Sequence, residues 1–151
     1  MSKALVVYDS VYGNTEKIAR ALAKGLEDGG VDVQCVRVDA AEFDELNGYD
    51  LLFVGSPVQG WSASKLTKEF LERLKSVEDL SGKKAFAFDT KMGRSRLVGS
   101  AGGMIEGKLK SLGLTIIKPH ASAVVKGREG PLEEGAEETF RQLGADLAKM
   151  M

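Results

Sequence analysis

The sequence predicts an α/β fold, in which helices cover both faces of a doubly wound, five-stranded parallel sheet in three layers. Apolar strand-like runs alternate with amphipathic helical stretches along the whole chain. Several of these runs are apolar without interruption, as expected for strands buried on both faces. The 151 residues are enough for a substantial core, so we expect one domain spanning residues 1–151.

The first part of the chain predicts two strands and two helices. Ala4–Tyr8 is a continuous apolar run and indicates a buried strand. Thr15–Glu27 follows as a helix, because its apolar residues recur at helical spacing before a Gly-Gly pair ends it. Val31–Val38 alternates apolar and polar residues, which is typical of a strand nearer a sheet edge. Ala41–Asn47 predicts one short helix.

The middle of the chain repeats this alternation. Asp50–Gly55 and Lys84–Asp89 predict two further buried strands. Ser64–Lys75 and Ser100–Leu112 predict the helices that follow them, since each carries its apolar residues on one side.

The last part predicts a strand and a helix. Leu114–Val125 is a long strand region, which Pro119 is expected to interrupt because proline cannot donate to a ladder. Glu133–Lys149 is amphipathic and closes the pattern as a helix. Ligands of such folds bind beyond the carboxyl ends of the strands, so we inspect the loops after the first, third and fourth strands.

Composition narrows the classes of function. The chain is 43% hydrophobic and 28% charged, and its net charge of −1 gives no indication of a nucleic acid or an anionic membrane as partner. We find no signal-peptide pattern and no apolar run long enough to span a bilayer. The single Cys35 fits a reducing compartment, so we expect a cytoplasmic protein.

The loop between the first strand and first helix, Ser10–Thr15, predicts an anion site. Backbone N–H groups that open a helix have no intrahelical partner, and the helix dipole adds partial positive charge there. The hydroxyls of Ser10 and Thr15 can donate further hydrogen bonds, while Gly13 permits close approach of the backbone. No lysine lies in this loop, so neutral donors would hold a phosphate.

The loop after the third strand, Gly55–Ser62, carries Trp61, the one tryptophan of the chain. Its planar side chain could stack on a flat ligand ring, or it could cover the core beneath the next helix. Pro57 and Gly60 indicate a fixed turn.

The segment after the fourth strand, Asp89–Gly103, is long for this kind of fold, and long loops in compact domains are often functional. It carries three basic residues, Lys91, Arg94 and Arg96. This basic loop is either solvated or placed near a ligand.

Neither His120 nor Cys35 is expected to form a metal site or a catalytic site. His120 has no nearby cysteine or second histidine, so we expect no metal site. Because it lies in a strand-like segment, we also expect no Ser-His-Asp arrangement and no catalytic residues. Cys35 is interpreted as a buried, inert thiol.

In these three loops the sequence resembles the flavodoxin-like family, whose members bind flavin mononucleotide (FMN). The family's phosphate motif, Thr/Ser-x-Thr-Gly-x-Thr, is similar to Ser10-Val11-Tyr12-Gly13-Asn14-Thr15, followed by Glu16-Lys17-Ile18-Ala19. Gly55-Ser56-Pro57 with Trp61 resembles the second flavin loop, and Asp89-Thr90 through Gly-Ser-Ala resembles the third. The resemblance covers essentially the whole chain, is to the short-chain forms, and implies the strand order 2-1-3-4-5.

The resemblance implies a set of cofactor-binding residues. Those implied to hold the phosphate are Ser10, Val11, Tyr12, Gly13, Asn14 and Thr15. Those implied to line one side of the flavin ring are Pro57, Val58, Gln59, Gly60 and Trp61, and those implied to line the other are Asp89, Thr90, Lys91 and Met92.

The sequence departs from the family in three ways. Tyr12 stands where the phosphate motif has a second threonine. The third loop has no aromatic residue to cover the ring, so Met92 or Leu97 would have to serve. The chain is also not strongly acidic. Since a nearby positive charge favours an anionic reduced flavin, we hypothesise that Lys91, Arg94 or Arg96 raises the potential of the second one-electron reduction.

The function implied is that of an FMN-binding flavoprotein that carries electrons between a reductase and an acceptor enzyme. The alternative is an FMN-dependent oxidoreductase of the same fold, similar to quinone reductases or protoporphyrinogen oxidases. A phosphoryl-accepting receiver domain is disfavoured, because the third strand ends in Gly55-Ser56-Pro57 rather than in aspartate. A binding module without flavin remains a fourth interpretation.

Overall fold

The computed structural model describes residues 2–59, 62–93 and 100–151. Strands and helices alternate in the described chain, as the sequence predicts. The strands are β1 (Lys3–Tyr8), β2 (Asp32–Arg37), β3 (Leu51–Gln59), β4 (Ser62–Ala63), β5 (Lys84–Met92), β6 (Thr115–Ile116) and β7 (Ala121–Val125). The helices are α1 (Asn14–Asp28), α2 (Lys65–Leu74), α3 (Ala101–Ser111) and α4 (Ala136–Ala148).

The main strands form one parallel sheet in the order β2-β1-β3-β5-β6. The short β4 pairs antiparallel with the end of β3. The final predicted strand is split, so that β6 pairs with the start of β5 and β7 with its end. Residues 117–120, which include Pro119, separate the two pieces. This arrangement confirms the flavodoxin-like α/β fold and the expected break at the proline.

Helices cover both faces of the sheet and enclose two hydrophobic clusters. On one face α1 and α4 pack over Phe53, Phe86 and Phe88 of the central strands. On the other face α2 and α3 contribute apolar side chains such as Leu71 and Ile105. The sheet is thus buried on both sides, which explains the uninterrupted apolar runs.

Glycine permits α1 and α4 to approach each other closely. A Cβ atom on Gly144 of α4 would collide with the backbone oxygen of Leu22, and one on Gly25 of α1 would collide with that of Arg141. The helix pair therefore depends on backbone contact at these two positions.

Two predictions of local structure were inaccurate. Strands β3 and β5 extend beyond Gly55 and Asp89, because their ladder continues with Ser56 opposite Asp89 and Pro57 opposite Thr90. The strands remain hydrogen-bonded beyond their apolar residues, whereas an apolar run in the sequence predicts only the apolar part of a strand. In place of the predicted helix Ala41–Asn47 there are two short 3₁₀ turns, Val38–Ala40 and Phe43–Gly48.

Within the described ranges, no helix combines the length and apolar character needed to cross a membrane.

Candidate functional site

A cavity of about 540 Å³ opens where β1, β3 and β5 end. This size lies within the range of small-molecule and cofactor pockets. Its position matches the ligand site of open α/β sheets, beyond the carboxyl ends of the strands. Eleven predicted site residues line it: Ser10, Val11, Tyr12, Asn14, Thr15, Pro57, Val58, Gln59, Thr90, Lys91 and Met92. Two described residues that were not predicted, Val125 and Arg128, also line it.

The loop after β1 is shaped by Ser10 and Gly13. The Ser10 hydroxyl oxygen accepts hydrogen bonds from the backbone N–H groups of Gly13 at 3.1 Å and Glu16 at 3.2 Å. Gly13 has a positive φ of 91°, a conformation that glycine adopts without strain, and α1 begins directly after it. Because Ser10 acts as acceptor in both bonds, its own proton remains available to a ligand.

The first turn of α1 presents free donors to the cavity. The backbone N–H groups of Asn14 and Thr15 have no hydrogen-bond partner within the described part of the chain. They are orphan donors of a helix N-terminus, where the dipole favours negative charge. Free N–H groups at a helix start are the backbone geometry that the predicted anion site requires.

Two side-chain contacts tie this loop to neighbouring elements. The hydroxyl oxygens of Thr15 and Thr90 lie 2.7 Å apart, and both side chains are buried. The Asn14 amide nitrogen donates to the backbone oxygen of Glu129 at 3.2 Å. These bonds position the start of α1 against β5 and against the segment after β7.

The end of β3, which forms one wall of the cavity, is held by contacts with β4 and with Ser64. Val58 pairs with Ala63 of β4, so the chain folds back beside Pro57 and Val58. The buried Ser56 hydroxyl accepts a hydrogen bond from the Ser64 backbone N–H at 2.9 Å. Gly60 and Trp61, which were predicted to line the same side, lie outside the described residues.

Asp89 differs from its neighbours on β5 because it does not line the cavity. It is completely buried, and one carboxylate oxygen accepts from the Gly102 backbone N–H at 2.8 Å and from the Ser100 hydroxyl at 3.4 Å. Side chains alternate along a strand, so Thr90 faces α1 while Asp89 faces the start of α3. The other carboxylate oxygen of Asp89 has no partner among the residues that are described. Arg94, Arg96 and Leu97 lie outside those residues.

His120 lies between β6 and β7 and not within a strand, which corrects the sequence-based expectation. Its Nε2 is 3.3 Å from the Ser100 Oγ, and its Nδ1 is 3.1 Å from a Glu106 carboxylate oxygen. The Ser100 Oγ also accepts from the Gly103 backbone N–H at 2.9 Å as the N-cap of α3. Ser100 does not line the cavity, so we interpret this cluster as an anchor for the start of α3.

The charge on the cavity wall is positive. Lys91 and Arg128 line it, and no described acidic residue does. Asp9 is close in sequence, but it is buried beneath the loop and lies 3.7 Å from the Arg37 guanidinium. Arg37 in turn donates to the Ser10 backbone oxygen at 3.3 Å, which ties the loop to β2.

Sequence reasoning missed Arg128 because it examined only the loops after the first, third and fourth strands. The segment Lys126–Pro131 follows β7, so the rule on carboxyl ends of strands applies to it as well. Its two glycines and its proline were an available signal.

Comparison with known proteins is consistent with this architecture. The sequence model of the Flavodoxin family matches residues 6–142. A flavodoxin of Maridesulfovibrio salexigens is 35% identical over 120 residues, which cover 78% of this chain and 82% of that protein. A probable flavodoxin of Bacillus subtilis is 30% identical over 154 aligned positions, covering 99% of this chain and 96% of that protein.

A solved structure of a flavodoxin from the domain Archaea has the same overall course of the chain. It superposes with a TM-score of 0.84 at 26% identity, covering 98% of this chain and 97% of that one.

Proposed function

This chain belongs to the flavodoxin family, and from that premise we propose how its cavity holds FMN. The protein is an FMN-binding electron-transfer protein. The cofactor supplies the redox chemistry, since a flavin can accept and release electrons one or two at a time. The residues of the chain bind it, orient it and adjust its potential.

The phosphate of FMN is assigned to the loop Ser10–Thr15. The observation that carries this assignment is the pair of free backbone N–H groups on Asn14 and Thr15, which lie at the cavity together with the Ser10 hydroxyl. A phosphate is well matched to such a helix N-terminus. The donor set therefore fits a phosphate monoester, and the absence of a described acid on the wall removes electrostatic opposition to it.

The flavin ring is assigned to the space between the ends of β3 and β5. Pro57, Val58 and Gln59 offer one wall, while Thr90, Lys91 and Met92 offer the other. We assign Gly60 and Trp61 to the first wall on the family resemblance. Asp89 is proposed to act indirectly, since it anchors α3 behind the strand and does not line the cavity.

Redox partners are proposed to approach the open side of this cavity. Val11, Tyr12 and Met92 line it and are exposed, so large apolar side chains are accessible at the cavity. We propose a flavin reductase as electron donor and an acceptor enzyme as recipient. We also propose that the chain is a single domain and that it works in the cytoplasm. The cytoplasmic location is supported by the single cysteine, Cys35, which has no disulfide partner within the chain.

The alternative, an FMN-dependent oxidoreductase, has less support, since the two curated relatives described above, which match 78% and 99% of the chain, are flavodoxins. Titration of the purified protein with FMN tests the main proposal. We expect one FMN per chain, with the flavin absorption bands perturbed and its fluorescence quenched. Absorption and fluorescence identical to those of free FMN throughout the titration would refute the proposal.

Steady-state turnover of NAD(P)H with a quinone separates the two functions. An electron carrier gives negligible turnover without an added reductase, whereas an oxidoreductase turns over on its own.

A further inference from the structure

We propose that Arg128 binds the phosphate of FMN and makes the protein selective for FMN over riboflavin. This inference rests on the proposed function and extends it to a residue outside the phosphate loop. Arg128 lies in the segment after β7 and lines the cavity.

The position of Arg128 follows from the contact between its segment and the start of α1. Glu129, the next residue, accepts a hydrogen bond from the Asn14 side chain through its backbone oxygen. Gly130 lies so close that a Cβ atom there would be 2.8 Å from the Asn14 Oδ1. Asn14 is the first residue of α1, so this contact holds Arg128 at the phosphate end of the cavity.

The guanidinium of Arg128 is available to an anion. Arg128 is exposed and forms no ion pair with any described residue. By contrast, Arg37, which also lies near the loop, already bonds the Ser10 backbone oxygen and faces Asp9 and Asp39. Among the described residues, Arg128 is therefore the free arginine at this end of the cavity.

The negative charge of the FMN phosphate favours a cationic side chain beside it. A phosphate monoester carries between one and two negative charges near neutral pH. The loop Ser10–Thr15 contains only neutral donors, and Tyr12 stands where the family has a threonine hydroxyl. A guanidinium can bind phosphate through two parallel hydrogen bonds and compensates its charge as well. Arg128 thus supplies what the loop lacks.

The test compares FMN with riboflavin, which has the same ring but no phosphate. Dissociation constants for both are measured for the unmodified protein and for Arg128→Gln at low and high salt. We expect Arg128→Gln to weaken FMN binding about tenfold and to leave riboflavin binding unchanged. We also expect the FMN affinity of the variant to depend less on salt. Arg128→Lys should retain part of the affinity, since it keeps the charge and loses the paired geometry.

Lys126→Gln is the matched control, because Lys126 is exposed on the same segment but does not line the cavity. It should leave both affinities unchanged. Unchanged FMN affinity in Arg128→Gln, or an equal loss for both flavins, would overturn the assignment of Arg128 alone. Failure of the unmodified protein to bind either flavin would instead overturn the proposed function.

Discussion

The hydroxyl oxygens of Thr15 and Thr90 lie 2.7 Å apart and join the first turn of α1 to the end of β5. Both residues are almost completely buried. Thr90→Val would leave the Thr15 hydroxyl buried without its partner. We expect the free energy of unfolding to fall by about 1–2 kcal/mol and FMN affinity to decrease, as measured by urea unfolding and flavin titration.

Two further variants check the origin of this effect. The double variant Thr15→Val with Thr90→Val should recover part of the stability, because no unpaired hydroxyl remains. Thr139→Val, on the exposed face of α4, should change stability little. Strictly additive losses in the double variant would argue against the hydrogen bond as the cause.

Tyr12 is the departure from the phosphate motif that most directly concerns cofactor affinity. It is exposed and lines the cavity, and its hydroxyl has no partner in the described chain. Tyr12→Thr should increase FMN affinity severalfold by adding a donor to the phosphate, with no gain for riboflavin. Tyr12→Phe is the control and should leave both affinities unchanged. A gain of equal size for riboflavin would show that the phosphate is not involved.

Lys91 is the described basic residue of the third loop, and it lines the cavity. Replacing it with glutamate reverses one charge near the position assigned to the ring. We expect the potential of the second one-electron reduction to fall by about 40 mV, since negative charge disfavours an anionic reduced flavin. Redox titration measures this. Arg94→Glu tests the corresponding hypothesis for the residues outside the described ranges.

The control for Lys91→Glu is Lys149→Glu, which makes the same charge change just after the far end of α4. That variant should leave the potential unchanged. A potential that is unchanged or higher in Lys91→Glu would contradict the hypothesis.

A substitution of Asp89 can distinguish a residue that stabilises the fold from one that contacts the cofactor. Asp89→Ala removes the acceptor of the Gly102 N–H and the Ser100 hydroxyl, so we expect a loss of about 2 kcal/mol in unfolding free energy. The FMN affinity of the protein that remains folded should change little. A selective loss of FMN binding at unchanged stability would show that Asp89 contacts the cofactor.

Burial raises the pKa of the Cys35 thiol from 9.0 to about 11. At pH 8 the thiolate fraction, and with it the rate of alkylation by iodoacetamide, should be about a hundredfold lower than for an ordinary thiol. The folded protein's rate should rise up to pH 11, whereas in urea it should level off near pH 9.

The raised pKa of Cys35 also makes the free energy of unfolding depend on pH. The unfolded chain loses this proton first, so the contribution of Cys35 is complete below pH 9 and is lost as the pH rises toward 11. An alkylation profile of the folded protein that levels off near pH 9 would contradict both expectations.

Much of the candidate site could be predicted because its geometry is local. The loop Ser10–Thr15 combines a strand end, a glycine and a helix start within one short segment, so its anion-binding geometry is written in consecutive residues. The ends of β3 and β5 were placed at the cavity by the general rule for parallel sheets. Arg128 was missed because the segment after the last strand was not among the loops expected to carry the site, although it packs against Asn14.

The sequence alone determined the alternation of strands and helices, the parallel sheet and the loop to which the phosphate is assigned, because each depends on periodicity or on residues adjacent in the chain. The tertiary structure alone decided on which side of β5 each residue acts. Asp89 and Thr90 are neighbours in sequence, yet one anchors α3 and the other bonds Thr15, since successive side chains of a strand point to opposite faces. It also brought Arg128 to the start of α1, because contacts between distant segments form only when the helices pack on the sheet.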